Sequence, residues 1–206
     1  MYQTATTLRR PIDVFYPAGD GRIVLRTELD WDRDLEPEAV SADRQRHEFV
    51  LEANKPFLYF KVCIRRGGTL AWSVGPNVLV LLTTDDRRQV YPFFDSGPAG
   101  TFSPVLEVES PILGRKHLLR AYLPPGYGEN PLKRYPVLYM QDGKNLFFPE
   151  EEFLSREWQV DESLGMLDSM NAADKCLVVG VFSHDRMYDY TKPGYEPYAR
   201  SIVEEV

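Results

Sequence analysis

The chain has 206 residues, enough for one large or two small domains, and its 43% hydrophobic and 27% charged residues are the balance of a globular protein, which excludes a disordered one. A net charge of −7 argues against nucleic acid as the main partner, and no apolar stretch approaches the ~20 residues that span a bilayer. The acidity is uneven, because residues 1–105 hold 13 Lys+Arg and 14 Asp+Glu whereas residues 106–206 hold 11 and 17. That asymmetry suggests two units.

The opening "MYQTATTLRRPID" has basic residues but no apolar segment behind them, so no secretory signal is expected and the expected location is cytoplasmic. The first half then reads as short strands. "GRIVLRTEL", "RHEFVLE", "FLYFKVCIRR", "TLAWSV" and "NVLVLLT" alternate or run apolar, each bounded by Gly, Pro, Asn or Asp. Strands at this spacing predict an antiparallel β-sandwich over residues 1–103. "PFFDSGPAGTFSPV", dense in Gly, Pro and Ser, reads as the linker. After it, "PILGRKHLLRAYLPPGYGENPLKRYPVLYMQDG" gives two strands joined by a Pro/Gly turn. "DESLGMLDSMNAA" carries Leu164, Leu167 and Met170 at helical spacing, with Asp161 placed to cap it. "KCLVVGVF" is a continuous apolar strand, and "YEPYARSIVEEV" opens another helix. The whole is a multidomain β plus α/β chain, a sandwich followed over residues 104–206 by an incomplete α/β sheet. Cys63 and Cys176 sit in apolar runs and are expected to be buried thiols of a reducing compartment, with a disulfide as the alternative.

"YPVLYMQDGKNLFF" reads as a buried strand that breaks abruptly into a polar turn. Asp-Gly is common in ordinary turns. At the end of such a strand, glycine also lets the backbone come close to a substrate. The wider sequence adds to this. "LPPGYGENPLKRYPVLYMQDGKNLF", then "WQVDESL", then "CLVVGVFSHDRMYDYTKPGYEPYARSIVEEV" resembles the putative esterase family of α/β-hydrolases over roughly residues 112–206. That family includes enterochelin and feruloyl esterases. The resemblance implies ester hydrolysis by a Ser-His-Asp triad through an acyl-enzyme. It also implies an oxyanion-hole amide on Lys144, following the Asp142-Gly143 pair, and a second amide after the nucleophilic serine. Asp142, Trp158 and Arg186 become candidates for the substrate cleft. For Trp158 the alternative is core packing. For Arg186 it is an ion pair with Asp185, Asp189 or Glu196.

No triad can be assembled from these residues. Ser163 in "DESLG" has Glu where the first glycine of a G-x-S-x-G elbow belongs, and Ser73, Ser183 and Ser201 lack an elbow as well. His47 and His117 lie in strand patterns and are expected at the surface, while His184 follows a strand end. No catalytic residue, cofactor or metal ligand is therefore expected in this chain. In the family the elbow lies beyond a segment like "YARSIVEEV", so the frame is expected to continue past Val206. About four strands after residue 106, an exposed apolar edge at "CLVVGVF" and no helix stop in "SIVEEV" give the same expectation, with poor solubility or oligomerisation.

The first half resembles starch-binding and related immunoglobulin-like modules through "FLYFKVCIRRGGTLAWSVGPNVLV". In these modules Lys61, Trp72 and Asn77 would be sugar-contacting positions, although Val78 stands where an arginine often follows. Trp31 is either a further surface aromatic or a core residue at a strand end. The expected partners are a small-molecule ester and, through the sandwich, a glycan, with no nucleic acid and no membrane. The competing readings are a non-catalytic glycan-binding protein that uses the sandwich and an inert fragment, and for the sandwich itself the alternative is a module that only packs.

Overall fold

The structure is a computed structural model in which residues 7–151 and 156–206 are described, so the first six residues of the basic opening lie outside it. The chain divides into two compact units. One holds the residues up to Pro98 together with Gly126–Arg134 and Ser169–Asn171; the other holds Ala99–Pro125, Tyr135–Asp168 and Ala172–Val206.

The first unit is mainly β. One sheet has the order β4 (Ala39–Val40), β5 (Arg46–Ala53), β1 (Leu8–Phe15), β9 (Arg88–Val90). The other has the order β3 (Asp30–Leu35), β2 (Arg22–Thr27), β6 (Phe57–Arg66), β7 (Thr69–Trp72), with β8 (Val78–Leu81) also on β6. Ile12, Val14, Phe49 and Leu51 of the first sheet share one core with Ile23, Leu25, Leu58, Phe60 and Ile64 of the second. The expectation of a purely antiparallel sandwich needs correcting, because β1 and β9 run parallel. The strand β1 escapes a sequence reading because it contains Pro11. That residue is tolerated because β9 pairs only with Ile12–Val14.

The expected linker is largely anchored. Phe93 is buried, and the amides of Phe94, Asp95 and Ser96 donate to the Glu129 carboxylate at 2.6, 3.0 and 2.7 Å. Burial alone would raise the Glu129 pKa, but these amides hold it below the usual glutamate value. Asn130 Nδ2 donates to the carbonyls of Phe15 and Pro92, both at 2.9 Å. The Pro/Gly turn expected between two strands is thus an ordered part of the first unit.

The second unit has one sheet of β10 (Thr101–Phe102), β11 (Leu106–Ser110), β12 (Arg115–Leu123), β13 (Val137–Met140) and β14 (Leu177–Val181). β12 pairs antiparallel with β10 and β11 on one side and with β14 on the other, and β13 runs parallel to β14. "CLVVGVF" is therefore an interior strand, and the expectation that it forms an exposed edge is corrected. The edge is β13, expected to be buried; its Val137, Leu138 and Tyr139 are 43%, 44% and 50% exposed because nothing among the described residues pairs with its outer side.

Three helices complete the unit, α1 (Val160–Ser169), α2 (Arg186–Tyr190) and α3 (Tyr195–Glu205). In α1, Leu164 packs partly against a small core of Tyr122, Leu146, Phe147 and Val178, while Leu167 and, just past the helix end, Met170 are exposed. Asp161 lies inside the first turn rather than capping it, since Gln159 turns into the helix with φ 53. Burial pushes the Asp161 carboxyl up to about 6. Two further expectations are corrected. His47 and His117 are buried rather than at the surface. Cys63 is buried, but Cys176 is only half-buried, and both are free thiols.

Candidate active site

Because β13 and β14 are parallel, their C-terminal ends open on the same edge of the sheet, which is where α/β sheets bind ligands. Asp142–Lys144 follow β13 there, and Ser183–Arg186 follow β14. Gly143 is buried, and a Cβ on it would lie 2.6 Å from Gly180 C and 2.6 Å from Phe182 Cδ1. Its role is close approach, seating the turn directly on the backbone of β14. Asp142 holds a left-handed conformation, φ 55 and ψ 44, which costs a side-chain-bearing residue about 1–2 kcal/mol but is most tolerable for Asp or Asn.

The Asp142 carboxylate has a partner on each oxygen. Tyr190 Oη donates to Oδ1 at 3.0 Å, and an Arg186 guanidinium N–H donates to Oδ2 at 3.1 Å. The expected ion-pair alternatives for Arg186 (Asp185, Asp189, Glu196) are thus replaced by Asp142, while Asp189 pairs with Arg115 at 2.7 Å. The Arg186 side chain stays 62% exposed. Residues Gly143–Asn145 form a short 3-10 helix in which the Asn145 amide donates to Asp142 O at 2.8 Å. The first amides of such a helix have no intrahelical acceptor, so those of Gly143 and Lys144 are the donors at its positive end. Lys144 is exposed, and its ammonium lies 5.8 Å from the Phe182 ring centroid. Trp158 joins through its backbone, donating to Asn145 O at 2.6 Å, while its side chain belongs to a residue 52% exposed. It is not a core tryptophan.

A Ser–His contact does occur, at a place the sequence did not suggest. His117 Nε2 and Ser201 Oγ are 3.0 Å apart, both residues fully buried. Ser201 donates its own proton to Tyr198 O at 2.7 Å, so it accepts from the histidine. In a nucleophile–base pair the proton is shared the other way. Burial, reinforced by Arg115, also lowers the His117 pKa. The pair is structural. Ser163 is exposed on α1, Ser73 is buried in the first unit, and neither Ser183 nor exposed His184 forms such a pair.

Residues 110–202 match the family described as "Putative esterase". A solved structure described as an IroE-like serine hydrolase from Shewanella oneidensis is similar at 22% identity and a TM-score of 0.34, over 52% of this chain and 36% of that one. The chain thus spans about a third of that protein's length. No curated protein matches. The esterase match covers the Asp142–Lys144 turn, Trp158 and Arg186, and it leaves out the first unit almost entirely.

In the first unit, Lys61 is buried, and its ammonium donates to the carbonyls of Gly75 and Pro76, the latter at 3.1 Å. Asn77 is exposed, and its carbonyl accepts from Asn171 Nδ2 at 3.0 Å. Trp72 is 41% exposed and lies 6.2 Å from the Trp31 ring, with the Arg26 guanidinium 5.3 Å from its own centroid. These rings and the ion-paired Arg26, Asp34 and Arg65 lie beside Val24 and Cys63, both fully buried. Among the described residues no three His, Cys, Asp or Glu side chains gather at metal-binding distance, and no helix is long and apolar enough to cross a membrane.

Proposed function

We propose that residues 110–202 form the oxyanion-binding part of a carboxylic ester hydrolase that works through an acyl-serine intermediate. The observation that carries this is the left-handed Asp142 and close-packed Gly143 at the C-terminal end of β13, which leave the Lys144 amide at the head of a helical turn. When a serine attacks an ester carbonyl, the oxygen gains a full negative charge, and an amide already aimed at it needs no reorganisation. One such donor contributes about 3 kcal/mol, or 10²–10³ in rate. Arg186 keeps donors beyond its single contact with Asp142 and would hold oxygen-rich groups of the substrate.

No G-x-S-x-G elbow occurs in these 206 residues, so this chain by itself holds the oxyanion half of the chemistry. Incubated with p-nitrophenyl acetate or butyrate, it is expected to give no turnover above a serine-free control, because loss of the nucleophile with its base removes on the order of 10⁶-fold in rate. Turnover abolished by a serine-directed phosphonate would place a nucleophile in this chain and overturn the half-site reading.

A second reading concerns the first unit and is favoured by the Trp31–Trp72 pair. The two indoles are tilted 56° to each other, so the 41% exposed Trp72 ring would be the face that stacks on a pyranose, with Trp31 beside it. Lys61, buried and donating to the Gly75 and Pro76 carbonyls, would not touch the sugar. Maltoheptaose or a xylo-oligosaccharide should then change tryptophan fluorescence, and Trp72→Ala should remove the change. No response at millimolar sugar would leave the unit a packing module.

A further inference from the structure

We propose that Tyr190 is a positioning residue for the Lys144 amide, acting through the Asp142 carboxylate. The function it serves rests on the oxyanion reading above, but the geometry is independent of it. Asp142 must hold a left-handed backbone, and beside the close seating of Gly143 on β14 its carboxylate ties it to α2. Of its two partners, Arg186 is 62% exposed, with one hydrogen bond to Asp142 and its guanidinium 6.0 Å from the Tyr190 ring centroid, and a pair with so exposed a cation contributes little. Tyr190 is different. It is half-buried, its ring packs 5.7 Å from the fully enclosed ring of Tyr198 in α3, and burial raises its pKa, keeping the hydroxyl protonated as a donor.

The helix bearing Tyr190 is itself fixed at several points. Asp185 caps α2 by accepting from the Tyr188 amide at 3.1 Å, and buried Asp189 takes the Arg115 guanidinium of β12 at 2.7 Å. Gly194, whose Cβ would fall 2.2 Å from Tyr188 O, lets α3 start close against α2. A rigid path therefore runs from β12 through Arg115, Asp189 and Tyr190 to Asp142, whose carbonyl fixes the Asn145 amide at 2.8 Å. The residues that set the turn lie more than forty positions along the chain from it.

Amide exchange and ¹⁵N NMR on the full chain test this. Tyr190→Phe keeps the ring and removes only the hydroxyl. The Asn145 amide, protected by Asp142 O, should then exchange on the order of tenfold faster, with a shifted Lys144 amide resonance, while β14 amides are unchanged. Arg186→Ala should change Asn145 exchange less than about twofold. Asp142→Asn, which keeps an acceptor for Tyr190, should do less harm than Asp142→Ala. Unchanged Asn145 exchange in Tyr190→Phe overturns the proposal, as does an even rise across the whole unit. Failure of the oxyanion reading would look different: the wild-type Lys144 amide would not respond to methylphosphonate, whatever Tyr190 does.

Discussion

His47 and His117 carry imidazole rings that burial holds below the ordinary histidine pKa. Neutral when folded and protonated when unfolded, each contributes stability that is complete above the unfolded value of about 6.5 and is lost as pH falls through the lower folded value. Because the raised Asp161 carboxyl takes up its proton in the folded state over the same window and opposes this trend, the test uses Asp161→Asn, whose denaturant midpoint read by tryptophan fluorescence should drop between pH 7.5 and 5.5, each histidine contributing at most about 1.4 kcal/mol per pH unit. A midpoint that holds or rises would contradict this. Both burials were readable. His47 shares the period-2 face of Phe49 and Leu51, and His117 that of Leu119, so alternation puts both inward, against the surface position expected of them. Treating histidine as polar hid the pattern. The bonds of Asp142 to Tyr190 and Arg186 were not readable, because no local pattern links positions so far apart.

Gly143 and Gly180 set the distance between the Asp142–Lys144 turn and β14, with a Cβ on Gly143 meeting the Gly180 carbonyl carbon at 2.6 Å. Gly143→Ala should destabilise the second unit by about 1–3 kcal/mol and move the turn; a melting temperature within error of wild type would refute the close contact. The outer edge of β13 is a second consequence of element placement. Its exposed Val137, Leu138 and Tyr139 present an unpaired apolar strand, a template for pairing with other chains. The protein should self-associate in sedimentation at micromolar concentrations, and Leu138→Lys should shift it towards monomer. A wild type that stays monomeric throughout would sink this prediction. A continuous apolar run reads from sequence as a strand buried on both faces. The interior strand β14 is buried or half-buried along its length, whereas the edge strand β13 is mostly exposed.

For the molecule as a whole, the change of texture from alternating strands to strand–helix grammar exposed two kinds of structure. It did not expose the return of Gly126–Arg134 to the first unit, which depends on Glu129 and Asn130 finding backbone partners about 35 residues or more away. Of the candidate site, the resemblance picks out the Asp142–Lys144 turn and Arg186, and the structure brings Arg186 to the Asp142 carboxylate. The His117–Ser201 pair shows why residue types alone mislead, since a serine and a histidine 3.0 Å apart are here sealed in the interior with their proton committed elsewhere. What distinguishes an oxyanion-binding turn from an ordinary one is an amide that answers negatively charged oxygen. The direct measurement is a ¹⁵N NMR titration of the chain with methylphosphonate, using an uncharged ester of similar shape as control. The Lys144 amide should move saturably with the anion and far less with the control, and the effect should weaken in Gly143→Ala. Shifts confined to the Arg186 side chain, or none at all, would contradict an oxyanion-binding turn.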